Sequence, residues 1–157
     1  MKLSFFLNKL EVVQNEFSSD YKNRIVTIKN IWKLGNLSWN IGILCALNYK
    51  YTTLQEFITH YNIKVITKKA PPLLDKLLFS SFDKTSNQII LYMDTIDSYL
   101  ISYAPLGVDK NYLINLLLAH EIFHFLQCNN HCVLFNMNCL NEIAAYAFAK
   151  SLGNMYR

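Results

Sequence analysis

Residues 112–127 read YLINLLLAHEIFHFLQ, an apolar helical run broken by three groups that such runs normally exclude: His120, Glu121 and His124. On a helix, positions four apart lie about 40° from each other around the axis, so the two imidazoles point the same way, one turn apart. Two imidazoles on one face can hold one metal ion. The plainer alternative is a buried helix whose histidines bond to backbone carbonyls. Local cost disfavours it, because three polar side chains among leucines, isoleucines and phenylalanines each need a partner, and an uncompensated buried charge is expensive. A single cation satisfies them together.

Zinc (Zn2+) suits this donor set, since it accepts neutral imidazole nitrogens at about 2.0–2.1 Å and keeps one position for water in catalytic sites. Glu121 need not be a ligand. It stands beside the ion, where a carboxylate can take a proton from bound water, which is the logic of the H-E-x-x-H pattern. A catalytic zinc normally takes three protein ligands. Glu142 is the only Asp or Glu between His124 and the C-terminus. It is expected in the first turn of a helix over about residues 140–152, stopped by Gly153 and Asn154. Ala144, Ala145 and Ala149 let that helix approach closely, so antiparallel packing against the 112–127 helix brings Glu142 to the same ion. The simpler role for Glu142 is a favourable acid near a helix N-terminus. Tyr146, one turn further on, is a candidate to bond a ligand or stabilise an oxyanion, or else a core aromatic.

Cys128, His131, Cys132 and Cys139 form a rival cluster, but their spacing lacks the matched pairs of a closed structural zinc site. His60 reads most simply as a helix-surface residue. With 157 residues the chain is expected to be one compact unit with a sizeable core. Only 17% of residues are charged and 52% are hydrophobic, which points to tight burial or an apolar partner surface. The 15 basic residues are scattered, with Lys68-Lys69 the one adjacent pair, so no direct nucleic-acid partner is expected. The N-terminal stretch lacks a complete leader pattern, and the most apolar stretch, residues 37–47, is too short to span a bilayer. The expectation is therefore a cytoplasmic protein without membrane attachment, its four cysteines reduced.

Along the chain, residues 2–20 have the spacing of an amphipathic helix. Residues 23–31 fit either a short strand, RIVTI, or a helix start, and residues 37–49 read as an apolar helix despite Gly42. Thr53 and Glu56 have capping-box spacing for the helix LQEFITHY, ended by Asn62 and followed by the strand IKVITK. Pro71-Pro72 interrupts, LLDKLLF is a short helix or turn, and SSFDKTSNQ is turn-rich. Residues 89–93, IILYM, are the strongest strand candidate and are expected to pair with the first strand in one small sheet. Residues 97–103 are ambiguous between helix and strand. Asp109 or Asn111 caps the metal helix. The fold class is thus α+β, mostly helical with a small β-sheet.

His120-Glu121-Ile122-Phe123-His124, followed by Glu142-x-x-Ala145-x-x-Phe148-Ala149, resembles the ImmA/IrrE-type zinc metallopeptidase domain over about residues 52–152. The resemblance implies a zincin-like core, expected over residues 51–157; residues 1–50, which it does not explain, are expected to form a helical segment packed on that core. It also implies zinc held by His120, His124 and Glu142, Glu121 as general base, and intracellular cleavage of a regulator, commonly a helix-turn-helix repressor. Phe123 replaces a frequent glycine, Cys128 a frequent histidine, Ala144 the second Glu of the downstream motif, and Tyr146 its usual Asn. The rival from another class is a non-enzymatic zinc-binding protein that acts by gripping a regulatory partner. For the enzyme, the exposed edge of the sheet, with IILYM as the candidate strand, is expected to hold an extended peptide.

Overall fold

The computed structural model describes residues 28–50, 52–72, 78–102 and 108–155. The helix expected over residues 2–20 and most of LLDKLLF lie outside them. The fold is mixed α+β and mostly helical, with five helices and a three-stranded sheet among the described residues. In chain order these are α1 (Ile28–Asn48), α2 (Leu54–His60), β1 (Lys64–Lys68), β2 (Ser80–Asp83), β3 (Gln88–Tyr92), α3 (Met93–Ser102), α4 (Lys110–Cys128) and α5 (Asn138–Met155). No helix among the described residues is long and apolar enough to cross a membrane.

From Ile28 onward the chain is helical, so of the two possibilities for residues 23–31 the helix holds wherever the chain is described. Gly42 does not break α1, because α1 needs it. A Cβ there would stand 2.2 Å from the Ala144 carbonyl oxygen and 2.9 Å from the Ala147 methyl, so glycine opposite small residues is what lets α1 and α5 lie this close. Leu34, Ile41, Cys45 and Ala46 of α1 are buried in the same core as Phe123, Leu126 and Phe148. Ser38, fully buried, donates its hydroxyl to the Leu140 carbonyl at the start of α5. This segment is an integral wall of the core.

Thr53 and Glu56 make the capping box: the Thr53 hydroxyl accepts from the Glu56 amide and the Glu56 carboxylate accepts from the Thr53 amide. Asn62, at φ 50°, turns the chain into β1, and a left-handed φ of that kind is one that Asn tolerates. Strand β1 then pairs parallel with β3, Val65 opposite Ile89.

Two expectations about the sheet change. Ser80–Asp83 is a strand, antiparallel to β3 with Phe82 opposite Ile89, and only residues 84–87 form the turn. Asp83 accepts from the Thr85 amide and the Ser86 hydroxyl and so holds that turn closed. The order β1-β3-β2 also makes β3 the central strand, with Ile89 and Leu91 buried, so IILYM has no free edge. The strand ends at Tyr92, and Met93 opens α3, which settles residues 97–102 as helix.

The last two helices form a polar-headed pair. Asp109 caps α4 by accepting from the Tyr112 amide at 2.6 Å. Helix α5 starts at Asn138 rather than near residue 140, which moves Glu142 out of the first turn, and it runs through Gly153 to Met155. Packing overrides the glycine: Leu152 is buried, and the Tyr112 ring of α4 lies 3.8 Å from where a Gly153 Cβ would be. Tyr112, at the start of α4, thus meets the end of α5, which makes the two helices antiparallel.

Candidate metal centre

His120 and His124 occupy one face of α4, a turn apart, with ring centroids separated by 4.8 Å. Their Nε2 atoms are 3.1 Å from each other. Glu142 comes from α5 to meet both: one carboxylate oxygen is 3.0 Å from His120 Nε2 and the other 3.1 Å from His124 Nε2. The antiparallel pairing of α4 and α5 brings this about. It places the early part of α5 beside the later part of α4.

These three groups could hold a metal ion, their ligand atoms all lying within 4.8 Å of one another. A tetrahedral ion bound at about 2.0–2.1 Å needs ligand atoms about 3.3 Å apart. The observed separations of 3.0–3.1 Å fall a few tenths short of that, within reach of small side-chain rotations. Two ring nitrogens that face each other beside one carboxylate need a shared proton or cation to coexist.

Without a cation the protons carry the load. Hydrogen bonds from His120 and His124 hold the Glu142 carboxyl well below the usual carboxylate range. For His124, burial works to lower the pKa, but the hydrogen bond to Glu142 and the charges of Glu121 and Glu142 outweigh it, and the net direction is up. A site that attracts a proton this way attracts a dication by the same field.

Glu121 lies on the neighbouring face of α4, which packs under the sheet. Its carboxylate is buried, 4% exposed, and accepts a 2.6 Å hydrogen bond from the Ser80 hydroxyl at the start of β2. Beside it Phe125 meets Phe82 of the same strand, ring centroids 5.9 Å apart. Glu121 and the three potential ligands line one cleft of about 630 Å³, with β2 along one side and the connector between α4 and α5 along the other. The base candidate and the ligands therefore share a chamber, and the carboxylate of Glu121 is not one of the three.

Tyr146 is not brought to this chamber. It is half-exposed on α5 and packs its ring against Trp39 of α1, centroids 5.8 Å apart, outside the cleft lining. The rival Cys/His cluster does not gather either. Cys132 turns to Cys45 of α1, and the hydrogen bond between the two thiols, with burial, pushes the Cys45 thiol up. His131 faces the Tyr61 ring, and all four cysteines are free thiols.

Three residues of the site went unread in the sequence. Ser80 sat in a segment that looked like a turn. Gln127 carried a visible signal: it is a further polar side chain on the apolar run, three residues after His124 and so on the same face. Gln127 and Asn141 are both buried, at 2% and 8% exposure, and bond to each other at 2.8 Å behind His124. No protein-family model, no curated protein and no solved structure matches this chain.

Proposed function

We propose that this protein is a zinc-dependent endopeptidase with a zincin-like core of the ImmA/IrrE type, acting in the cytoplasm on a regulatory protein such as a helix-turn-helix repressor. The observation that carries the proposal is the buried Glu121 carboxylate, which lines the cleft of the three ligand candidates without belonging to them. A purely structural metal site has no use for such a group. An acid–base reaction requires one.

His120, His124 and Glu142 are the residues that would hold the ion, and two imidazoles with one carboxylate are a zinc donor set with a position left open. When bound, zinc supplies Lewis acidity, which acidifies a water and polarises a carbonyl. Glu121 takes the proton from the attacking water and passes it to the departing amine of the cleaved peptide. The Ser80 hydroxyl occupies one carboxylate oxygen of Glu121 and so restricts its orientation. Strand β2, not β3, is the sheet edge along the cleft among the described residues, and its side away from β3 is where an extended substrate would add. Tyr146 has no part in this reaction.

The test compares wild type with Glu121→Gln on a proteome-derived peptide library and on candidate repressors, with and without chelator, cleavage being read by mass spectrometry. Chelator-sensitive products from wild type, and a loss of about 10²–10⁴-fold in rate for Glu121→Gln at equal zinc content, are expected. Stoichiometric binding of a repressor without products would instead favour the non-enzymatic zinc protein.

A further inference from the structure

The hydrogen bonds behind His124 can be followed outward from the backbone, and each one fixes the next. Phe135 offers an amide N–H, which can only donate, and a carbonyl, which can only accept. Asn141 meets both: its Oδ1 accepts from the Phe135 amide at 2.9 Å and its Nδ2 donates to the Phe135 carbonyl at 3.2 Å. The Asn141 amide is therefore oriented by main-chain groups alone. Its Oδ1 then accepts a second bond, from Gln127 Nε2 at 2.8 Å. The same Gln127 nitrogen donates to the Val133 carbonyl, also at 2.8 Å. Two acceptors claim both protons of that nitrogen, so Gln127 Oε1 is the atom turned toward His124 Nδ1, 3.2 Å away. An amide oxygen accepts and cannot donate. His124 must carry a proton on Nδ1.

From this chain we infer that Gln127 is the positioning residue of the metal centre: it holds His124 protonated on Nδ1, so that a cation replacing the Nε2 proton shared with Glu142 meets the Nε2 lone pair. The inference rests on the metal-site reading of His120, His124 and Glu142, and does not need the protein to be a peptidase. Its cause is local. A ligating imidazole whose second nitrogen is bonded has a fixed tautomer and a fixed ring plane, and losing such a partner typically lowers metal affinity 10–100-fold. Asn141 sits one residue before Glu142 on α5, while Gln127 sits three after His124 on α4. The same bonds that set the tautomer thus lock the two ligand-bearing helices together and bind both to the connector that joins them.

The experiment uses the full chain. Zinc affinity is measured by competition with a chromogenic chelator for wild type, Gln127→Met and Gln127→Glu, and proton–nitrogen NMR correlations on the metal-free wild type, with its imidazoles neutral, identify the protonated nitrogen of His124. Wild type is expected to show the Nδ1–H tautomer. Gln127→Met, similar in length but without the amide oxygen, is expected to lose 10–100-fold in zinc affinity. Gln127→Glu keeps an acceptor for Nδ1 while giving up both donated bonds, so it should retain zinc affinity and lose thermal stability. A residue that merely packs would cost stability in both variants and leave the zinc affinity of the folded protein unchanged. The proposal is overturned by a wild-type His124 protonated on Nε2, or by Gln127→Met binding zinc as tightly as wild type. The NMR arm needs no variant to fold. Wild type that binds no zinc would overturn the metal centre and this proposal together, whereas zinc binding without peptide cleavage would sink only the peptidase, with the Gln127 comparison still deciding here.

Discussion

Helix α5 is gripped from two sides, and the grips differ in kind. Against α1 the seam is dry and close, with Gly42 facing the Ala144 carbonyl and Ala147, and the buried hydroxyl of Ser38 tied to Leu140. Against α4, at the site end, the seam is polar, built from His120, His124 and Gln127 on one helix and Asn141 and Glu142 on the other. Shape complementarity holds the first; donors and acceptors hold the second. Steric seams fail when volume is added, polar seams when a partner is removed, and the two failures have different readouts.

The sharpest division between the seams comes from His120→Ala. Zinc affinity should fall more than about 100-fold, beyond the range of losing an outer partner, and metal-free stability should fall as well, because the hydrogen bond from His120 to Glu142 is lost. Chelator competition and urea unfolding in parallel check this. Equal zinc content in mutant and wild type would remove the polar seam's claim to be a metal centre. Gly42→Ala probes the other side. Alanine gains about 1 kcal/mol of helix propensity over glycine, but a Cβ at 2.2 Å from a backbone oxygen forces the helices apart. Overpacking typically costs about 1–3 kcal/mol, so against the propensity gain a net loss of up to about 2 kcal/mol is expected, with zinc affinity of the folded protein unchanged. A stabilised variant would show that the seam has slack.

Acidity separates the seams less strongly. In metal-free protein the depressed Glu142 carboxyl contributes stability that is fully present above pH 4.5, its ordinary value, and is lost as pH falls through its lower folded pKa. The raised His124 works in the opposite sense: its contribution is complete below 6.5 and is lost as pH rises through its higher folded pKa. Unfolding midpoints measured with chelator from pH 3 to 9 should therefore crest between those two ordinary values, and zinc affinity should rise with pH as the His124 proton leaves. A flat profile would break the polar half of the comparison. Smallest of all is Gly35→Ala, on the same helix as Gly42, where a Cβ would meet only the Ile143 side chain at 3.9 Å. Here propensity should win, with a gain of up to about 1 kcal/mol in thermal unfolding.

The same contrast explains what could be read from the chain before folding. His120, Glu121 and His124 stood out because helical period and polarity disagreed there, and Glu142 because no other downstream carboxylate exists. The Thr53 capping box is equally local. What escaped depends on neighbours that are distant in sequence. Ser80–Asp83 has turn composition and becomes a strand through pairing with β3. Residues 89–93 read correctly as a strand up to Tyr92, yet their place at the centre of the sheet depends on β2. Gly42 looked like a flaw in a helix until Ala144 and Ala147 were set opposite it. Tyr146 drew interest from its spacing after Glu142, but one turn on is also about 6 Å further along α5, and there its ring packs on Trp39 of α1 outside the cleft.

The three side chains that could hold a metal fall between residues 120 and 142, whereas Ser38 and Leu140 are 102 positions apart. Ring closure in a flexible polymer becomes more costly with the length enclosed, so the short hairpin of α4 and α5 is the cheaper loop to close. An ion captured there would staple the hairpin before α1 arrives. Assembly from the C-terminal half backward is the expected order, with zinc added during refolding accelerating an early kinetic phase rather than the final docking.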